Sequence, residues 1–372
     1  MSKLHKYAFA DLYDMASGIS STKEQAGHGA PFVSFSTVFN NYFLPDELTD
    51  LMDTSEREQE TYSIKKGDIL ITRTSETVDE LAMSCVALKD YPKATYSGFV
   101  KRLRPKTTGI AYDKYMAFFL RSKYFRKVIN SNTIMTLRAS FNEDIFSFLT
   151  LYLPDYEEQV KIGDMLYNME RKISLNKKIN DNLEQQAQLI FDYMFKDISG
   201  SKRLGEVIIP KRGTPLLTKD AIWGNVPVVA GGLEPSTYHN KANTLDPVIT
   251  ISSSGANAGF VDLWGIPVWS SDSSYIDSTM TPYVYFWYAF LKRYQNNIYN
   301  IQTGSAQPHI YPNHIASLPM GDLDAKKIEE YTQRVTPMFL TIAQNYRENR
   351  QLASLRDWLL PMLMNGQATV RD

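Results

Sequence analysis

The sequence predicts an α+β chain: two similar globular domains separated by two long antiparallel helices that form a coiled coil, giving a quasi-twofold monomer. Three observations predict it. Residues 156–195 hold no proline and a single glycine, Gly163, so one helix of ~40 residues is expected. Its inward positions are Ile162, Leu166, Met169, Ile173, Asn176, Asn180, Leu183, Ala187, Ile190 and Met194; they alternate in steps of four and three without a slip, the heptad pattern of a helix seam. Adding 169 to each number returns Tyr331, Val335, Met338, Ile342, Asn345, Asn349, Leu352, Arg356, Leu359 and Leu363, and eight of the ten keep their chemical type.

Four segments follow from the repeat: a first domain over 1–155, the central helix over 156–198, a second domain over 199–322, and a C-terminal helix with its tail over 323–372. Inside the domains, GDILITRTSE (67–76) reads as a β-branched strand entering a polar loop, and DPVITISSSG (246–255) is its counterpart. Next come YMAFFLRSKYFRKVIN (115–130) and VYFWYAFLKRYQNNIYN (284–300), both amphipathic and helical. The segments 134–155 and 301–322 each close with a strand and Leu-Pro just ahead of a long helix. Pro337 is expected to kink or delay the second helix. Arg356 breaks the apolar seam, and the adjacent Leu355 is expected to stand in for it. Two asparagine pairs in a seam are costly unless they meet partners. Antiparallel packing is therefore expected to set Asn176 and Asn180 against Asn345 and Asn349.

The composition is that of a folded protein: 43% apolar, 12% aromatic and 22% charged residues exclude a disordered chain. A lone Cys85 excludes a disulfide framework and a cysteine-rich zinc module, pointing to a reducing cytoplasm. The strongly apolar run at 283–291 falls far short of a membrane span, and the start has no signal-peptide pattern. The formal charge of −1 conceals a polarised first domain. Residues 46–80 carry eleven acids and four bases, whereas 95–138 carry ten bases and one acid. Such a basic window suits nucleic acid, or simply pairs with the acidic one in the fold.

A duplicated chain with two heads and a long helical spacer suits a split DNA site, one head to each half. The wording LPDYEEQVKIGDML, LNKKI and LEQQAQLIFDYMF, with LRDWLLPMLMNGQATV at the end, resembles the specificity (S) subunits of type I restriction-modification systems. The heads match through KKGDILITR (65–73), SGFVKRLRP (97–105), KRGTP (211–215) and TGSAQPHI (303–310). The second head departs in LPMGDLDAKK, which lacks the Glu-Gln pair of 158–159. The resemblance implies two target-recognition domains reading a bipartite site on double-stranded DNA, and helices that dock two modification (methyltransferase) subunits and set the gap between half-sites. It further implies restriction (translocase/nuclease) subunits as partners, with S-adenosylmethionine, ATP and Mg bound by those partners and not by this chain.

The residues agree with a non-catalytic, cytoplasmic, membrane-free role. No N-P-P-[FY] or D-P-P-[FY] tetrapeptide, no F-x-G-x-G loop and no G-x4-G-K-[ST] loop occurs. Glu158 and Lys161 lie three apart at a helix start, not on one strand face as a nuclease cluster requires. His309 and His314 flank Pro312 with no metal-ligand spacing, so no metal site is expected. A coiled-coil scaffold would keep the seam but needs no basic loops, and a self-contained restriction-modification enzyme would need the missing motifs. Phosphate contacts call for Lys or Arg, and base edges for Arg, Asn, Gln or hydroxyl side chains. The candidates for DNA are Arg73, Lys101, Arg102, Arg104 and Arg138 in the first head. In the second they are Lys211, Arg212, Lys219, Gln302, Thr303, Ser305, Gln307 and His309.

Overall fold

The computed structural model describes residues 3–75, 80–132, 139–196, 198, 200–304 and 307–370. The chain forms two compact units, 1–172 with 351–372, and 173–350. Each unit holds one head and a stretch of both long helices.

The first head contains strands β1 (Leu4–Ala8), β2 (Tyr13–Ser17), β3 (Ala26–Val33), β4 (Leu51–Met52), β5 (Ile69–Thr72), β6 (Thr74–Ser75), β7 (Ser84–Val86), β8 (Thr95–Tyr96), β9 (Val100–Pro105), β10 (Ala139–Ser140) and β11 (Thr150–Pro154). The second contains β12 (Lys202–Arg203), β13 (Lys211–Arg212), β14 (Val226–Val229), β15 (Thr237–His239), β16 (Val248–Ser252), β17 (Val261–Trp264), β18 (Trp269–Ser270), β19 (Ser273–Asp277) and β20 (Pro319–Met320). Apart from the β6·β10 pair of the first head, where the second has a single Ser254–His309 bridge, their pairing repeats. A four-stranded sheet runs β2-β9-β5-β7 in one head and β13-β19-β16-β17 in the other. Beside it, β3 pairs antiparallel with β4 and parallel with β8, as β14 does with β15 and β18. A closing pair, β1·β11 or β12·β20, ties the start of each head to the strand before its long helix.

Both faces of the four-stranded sheets are covered, which is why β5 and β16 read as unbroken apolar or β-branched runs instead of alternating. In the first head Ile69, Ile71 and Leu103 pack with Phe118 and Phe125, while Leu70, Cys85 and Val100 form a separate cluster on the other face. In the second, Ile249, Ile251 and Ile276 pack with Phe286 and Phe290, and Val248 lies with Val229 and Val268.

The long helices run Tyr156–Met194 and Ala325–Met364. Gln159 explains the Leu-Pro-x2-Glu-Gln wording: its amide donates to the Ile110 and Pro154 carbonyls at 2.8 and 2.9 Å and accepts from Tyr112 N at 3.0 Å. Gly163 is needed where the helix crosses the segment at Tyr112–Tyr115, since a Cβ there would stand 2.7 Å from Tyr115 N. The second helix starts without a Glu-Gln pair because Asp324 caps it, accepting from Lys326 N at 2.9 Å. Pro337 neither delays nor ends this helix, which begins at Ala325 and continues through it.

Within the second unit, Asn176 is 1% exposed and donates to Asn349 Oδ1 at 2.9 Å and Glu348 Oε2 at 2.7 Å. Asn345 donates to Asn180 Oδ1 at 2.8 Å. Ile173, Leu183, Ile190, Met338 and Ile342 are half-buried there, and Ala187 and Val335 are buried. Within the first unit, Ile162 and Leu166 are buried with Leu360 and Leu363, with Met169 and Leu359 packed against them and Leu352 half-buried. Leu355 does not replace Arg356. It is exposed, and Arg356 itself lies inward, paired with Glu170 and stacked over Tyr42. Beyond the helix, the tail folds back so that Val370 N donates to Glu158.

Candidate nucleic-acid interface

Some of the candidate residues gather at one end of the four-stranded sheet, which in the first head is where β2 and β5 finish and β9 begins. The ladder sets Ser17 opposite Lys101 and Thr72 opposite Val100. Arg73 follows, its N–H donating to Phe99 O and its carbonyl accepting from Phe141 N, both at 2.8 Å. The second head repeats the frame: Arg212 faces Ser274, Ser252 faces Ser273, and Ser253 donates to Asp272 O and accepts from Ile310 N. Register therefore equates Arg73 with Ser253, Lys101 with Ser274, Ser17 with Arg212, and Phe99 with Asp272. The frame is shared and the chemistry on it is exchanged.

In the first head, Arg73 is exposed at the strand end. Lys101 is buried and donates to Ser17 Oγ at 2.8 Å. Burial, and then the nearby Arg73 cation, hold the Lys101 ammonium below its ordinary pKa. Phe99, beside Arg73, is 61% exposed. A site with two neighbouring cations, one of them desolvated, favours an anion.

Arg102 and Arg104 are placed differently. Both lie on the opposite side of β9 from Lys101 and turn into the head. Arg102 donates to Ser63 O at 2.7 Å, and Arg104 donates to Ser63 O and forms a two-pronged pair with buried Asp68 at 2.7 and 2.9 Å. The rest of the basic window behaves similarly. Arg121 donates to the carbonyls of Ser84, Val38, Phe39 and Asn41, Arg126 to those of Leu81 and Ala82, and Lys114 pairs with Asp164. Lys123 and Lys127 are exposed on the helix Lys123–Asn132. Much of the +9 window is thus internal scaffolding, including one pair with the acidic window. Arg138 lies outside the described residues.

In the second head, Lys211, Lys219, Thr303 and Gln307 are exposed. Arg212 Nη2 contacts Asp272 Oδ1 at 2.7 Å, and Ser254 Oγ donates to Asp272 Oδ2. Thr303 and His309 exchange backbone hydrogen bonds at 3.0 and 2.8 Å, and a β-bridge joins His309 to Ser254. Half-buried His309 stacks on Tyr311. Gln302 is a loop anchor: half-buried, it donates to Ala258 O at 2.7 Å. Ser305 lies outside the described residues. Gly18 and Gly213 begin the loops after β2 and β13, and a Cβ on either would stand 2.1 or 2.4 Å from the Ser97 or Ser270 carbonyl.

Sequence reasoning missed Phe99, Asp272 and Ser254. Matching 67–76 against 247–256, one residue further along than the sequence comparison set it, and extending it to the neighbouring strand aligns SGF with SSD and exposes the exchange. It also missed exposed Leu189 and Trp358, which share the 169-residue offset. Away from the sheet end, the second unit holds a cavity of about 240 Å³ lined by Glu184, Glu234, Asp262, Tyr288 and Tyr346. Burial pushes the Asp262 carboxyl up to about 6. Among the described residues, no helix is long and apolar enough to cross a membrane.

Comparison with known proteins gives one consistent family. Residues 7–185 match the type I restriction modification DNA specificity domain. The chain is 27% identical to the Type I restriction enzyme HindI specificity subunit of Haemophilus influenzae over 57% of its own length, which spans about half, 47%, of that relative. It is 21% identical to the Type I restriction enzyme MjaIX specificity subunit of Methanocaldococcus jannaschii, with 97% of this chain and 93% of that subunit aligned. Its fold is that of the crystallised type I restriction-modification S subunit from M. genitalium, with a TM-score of 0.61 at 17% identity over 97% and 96% of the two chains. The resemblance to type I specificity subunits holds in sequence and in fold.

Proposed function

We propose that this chain is the DNA-specificity subunit of a type I restriction-modification complex: it recognises a bipartite site and brings the methyltransferase and restriction subunits to it. The observation that carries the reading is the repeated sheet end, with Arg73 and Lys101 in one head and Arg212 in the other at different positions of one shared frame. Cations and hydroxyls beside exposed loops are the groups that hold phosphates and read base edges. Two such frames in one chain suit two half-sites. Arg73, Lys211 and Lys219 serve the backbone, while Thr303, Gln307, His309 and Phe99 approach bases.

Leu189 and Trp358 support two like partners. They occupy the same position of the helix repeat and are 68% and 66% exposed. A large apolar side chain offered to solvent at both copies suits one docking contact used twice, once for each methyltransferase subunit. S-adenosylmethionine, ATP and Mg belong in this reading to the partners, and the chain itself transfers no methyl group.

Base-modification sequencing of the host genome, with and without the gene, tests the reading. Loss of methylated adenine at one split motif is the expected result. Retention of every motif, although the chain co-purifies with an active methyltransferase, would refute it.

A further inference from the structure

The Arg212–Asp272 pair has a control inside the same molecule. The first head builds the same four strands in the same order with Ser17 in place of Arg212 and Phe99 in place of Asp272. The fold therefore does not require the pair, and its presence in one head alone calls for a role in that head.

We propose that Arg212 and Asp272 together read a G·C base pair in the second half-site, with Asp272 as the positioning residue that aims the guanidinium. This deepens the DNA-reading role proposed above and rests on it. A cation already matched by a carboxylate at 2.7 Å makes weak footing for a phosphate, because the local charge is close to zero. It makes a good reader of bases. Guanidinium has five donors in a fixed fork, and the contact to Asp272 engages one end of it, at Nη2. The remaining donors suit the O6 and N7 acceptors of guanine, the commonest specific contact in the major groove. Asp272 has acceptor capacity left after taking Arg212 and Ser254, and a carboxylate accepts from the N4 amine of cytosine. Donors beside an acceptor match the edge of G·C. On A·T the guanidinium would face the adenine N6 donor, and the carboxylate the thymine O4 acceptor.

The geometry favours this assignment in two further respects. Both side chains are partly exposed, at 40% and 38%, so a duplex can reach them. Asp272 is also held at both oxygens and by its own carbonyl, which accepts from Ser253 N at 3.0 Å. The acid is thus fixed by the sheet, and the arginine is fixed by the acid. Ser253 and Ser274 stand where the first head has Arg73 and Lys101, and among the described residues their buried hydroxyls have no hydrogen-bond partner. The second head has put neutral side chains at those two places and concentrated its charge in one oriented pair.

The test uses the full chain in complex with its methyltransferase partner and duplexes varied one base pair at a time through the second half-site. Asp272→Asn and Arg212→Lys should each relax selectivity at a single G·C position by about 5- to 150-fold. Selectivity elsewhere should stay as it was, and for Asp272→Asn the binding of unrelated DNA should hold or rise because a negative charge has gone. Arg212→Lys keeps the charge and loses the fork, so a phosphate contact would survive it with selectivity unchanged, whereas base reading would not. A melting temperature unchanged in both variants would show that the fold survives. Uniform weakening on all sequences, or unchanged selectivity in either variant, would overturn the pair while leaving the DNA-reading role intact. A wild-type complex without any sequence preference would overturn both.

Discussion

Replacing Arg104 by alanine separates two roles that a basic strand could have. In the structure Arg104 neutralises Asp68, whose side chain is 1% exposed, through Nε and Nη2 at 2.9 and 2.7 Å. Asp68 keeps a hydrogen bond from Lys65 N at 2.8 Å, but without Arg104 it is a buried carboxylate with no counter-ion contact among the described residues. Removing one partner of a buried pair costs about 3–5 kcal/mol. Arg104 is 29% exposed, so water screens part of that interaction and the lower end, about 3 kcal/mol, applies. For a unit of about 190 residues, each kcal/mol lowers Tm by about 2–4 °C, giving a fall of about 6–12 °C. Calorimetry is the suitable assay, because two units can unfold in separate transitions and only the first should move. The salt dependence of DNA binding, measured at a temperature where the variant is folded, should keep its slope. An unchanged Tm with a salt slope reduced by about one would refute the reasoning and return Arg104 to the phosphate contacts.

Arg73→Ala should do the reverse, lowering the salt slope by about one with little change in Tm, and an unaltered slope would remove Arg73 from the interface. Asn176→Ala strips the donor from Asn349 and Glu348 and should cost about 1–3 kcal/mol in the second unit. Changing Asn176 and Asn349 together to leucine should recover most of that loss, and a double variant less stable than the single one would contradict the account. Asp262, its carboxyl pushed up to about 6 by burial, binds a proton at higher pH in the native chain than in the unfolded one. Stability contributed by that proton is present at low pH and is lost as pH rises through about 4–6. Asp262→Asn should flatten this decline in melting scans, and an undiminished decline would exclude Asp262 as its source. Leu189→Asp and Trp358→Asp should each leave one methyltransferase subunit in place of two by native mass measurement, and two subunits retained in both variants would defeat the shared docking contact.

The parts of the fold that were legible in the sequence are those where spacing alone carries the physics. The 4-3 alternation marks the seam because every second turn of a helix returns to the same face, and the 169-residue offset marks the duplication. Strands β5 and β16 were legible because sheets covered on both faces need apolar or β-branched residues at successive positions. The site was harder to see. Arg102 and Arg104 look in sequence like Lys101, but strand alternation turns alternate residues to opposite faces, and which face meets carbonyls is decided by Ser63 and Asp68, about 40 residues away. Arg121 and Arg126 mislead too, since the end of a helix, a strand and a turn leave carbonyls that guanidinium groups close. Charge counted along the chain cannot tell a cation that faces a ligand from one that completes the fold.

The two heads show what duplication allows once the scaffold is fixed. Strand order, the parallel and antiparallel pairs and the tight glycine after the second strand all recur, so these features answer to packing. At the open end of the sheet the same backbone carries Ser17, Arg73, Phe99 and Lys101 in one head and Arg212, Ser253, Asp272 and Ser274 in the other. Arg73, Phe99, Arg212 and Asp272 reach solvent there, and exchanging partly exposed side chains costs little stability. Two neighbouring cations beside an exposed ring and an oriented arginine–carboxylate pair demand different surfaces from a ligand. A symmetric dimer of identical heads would have to read the same half-site twice. A single chain with two diverged sheet ends is free of that constraint, and the exchange of charge between equivalent positions is the physical form that freedom takes.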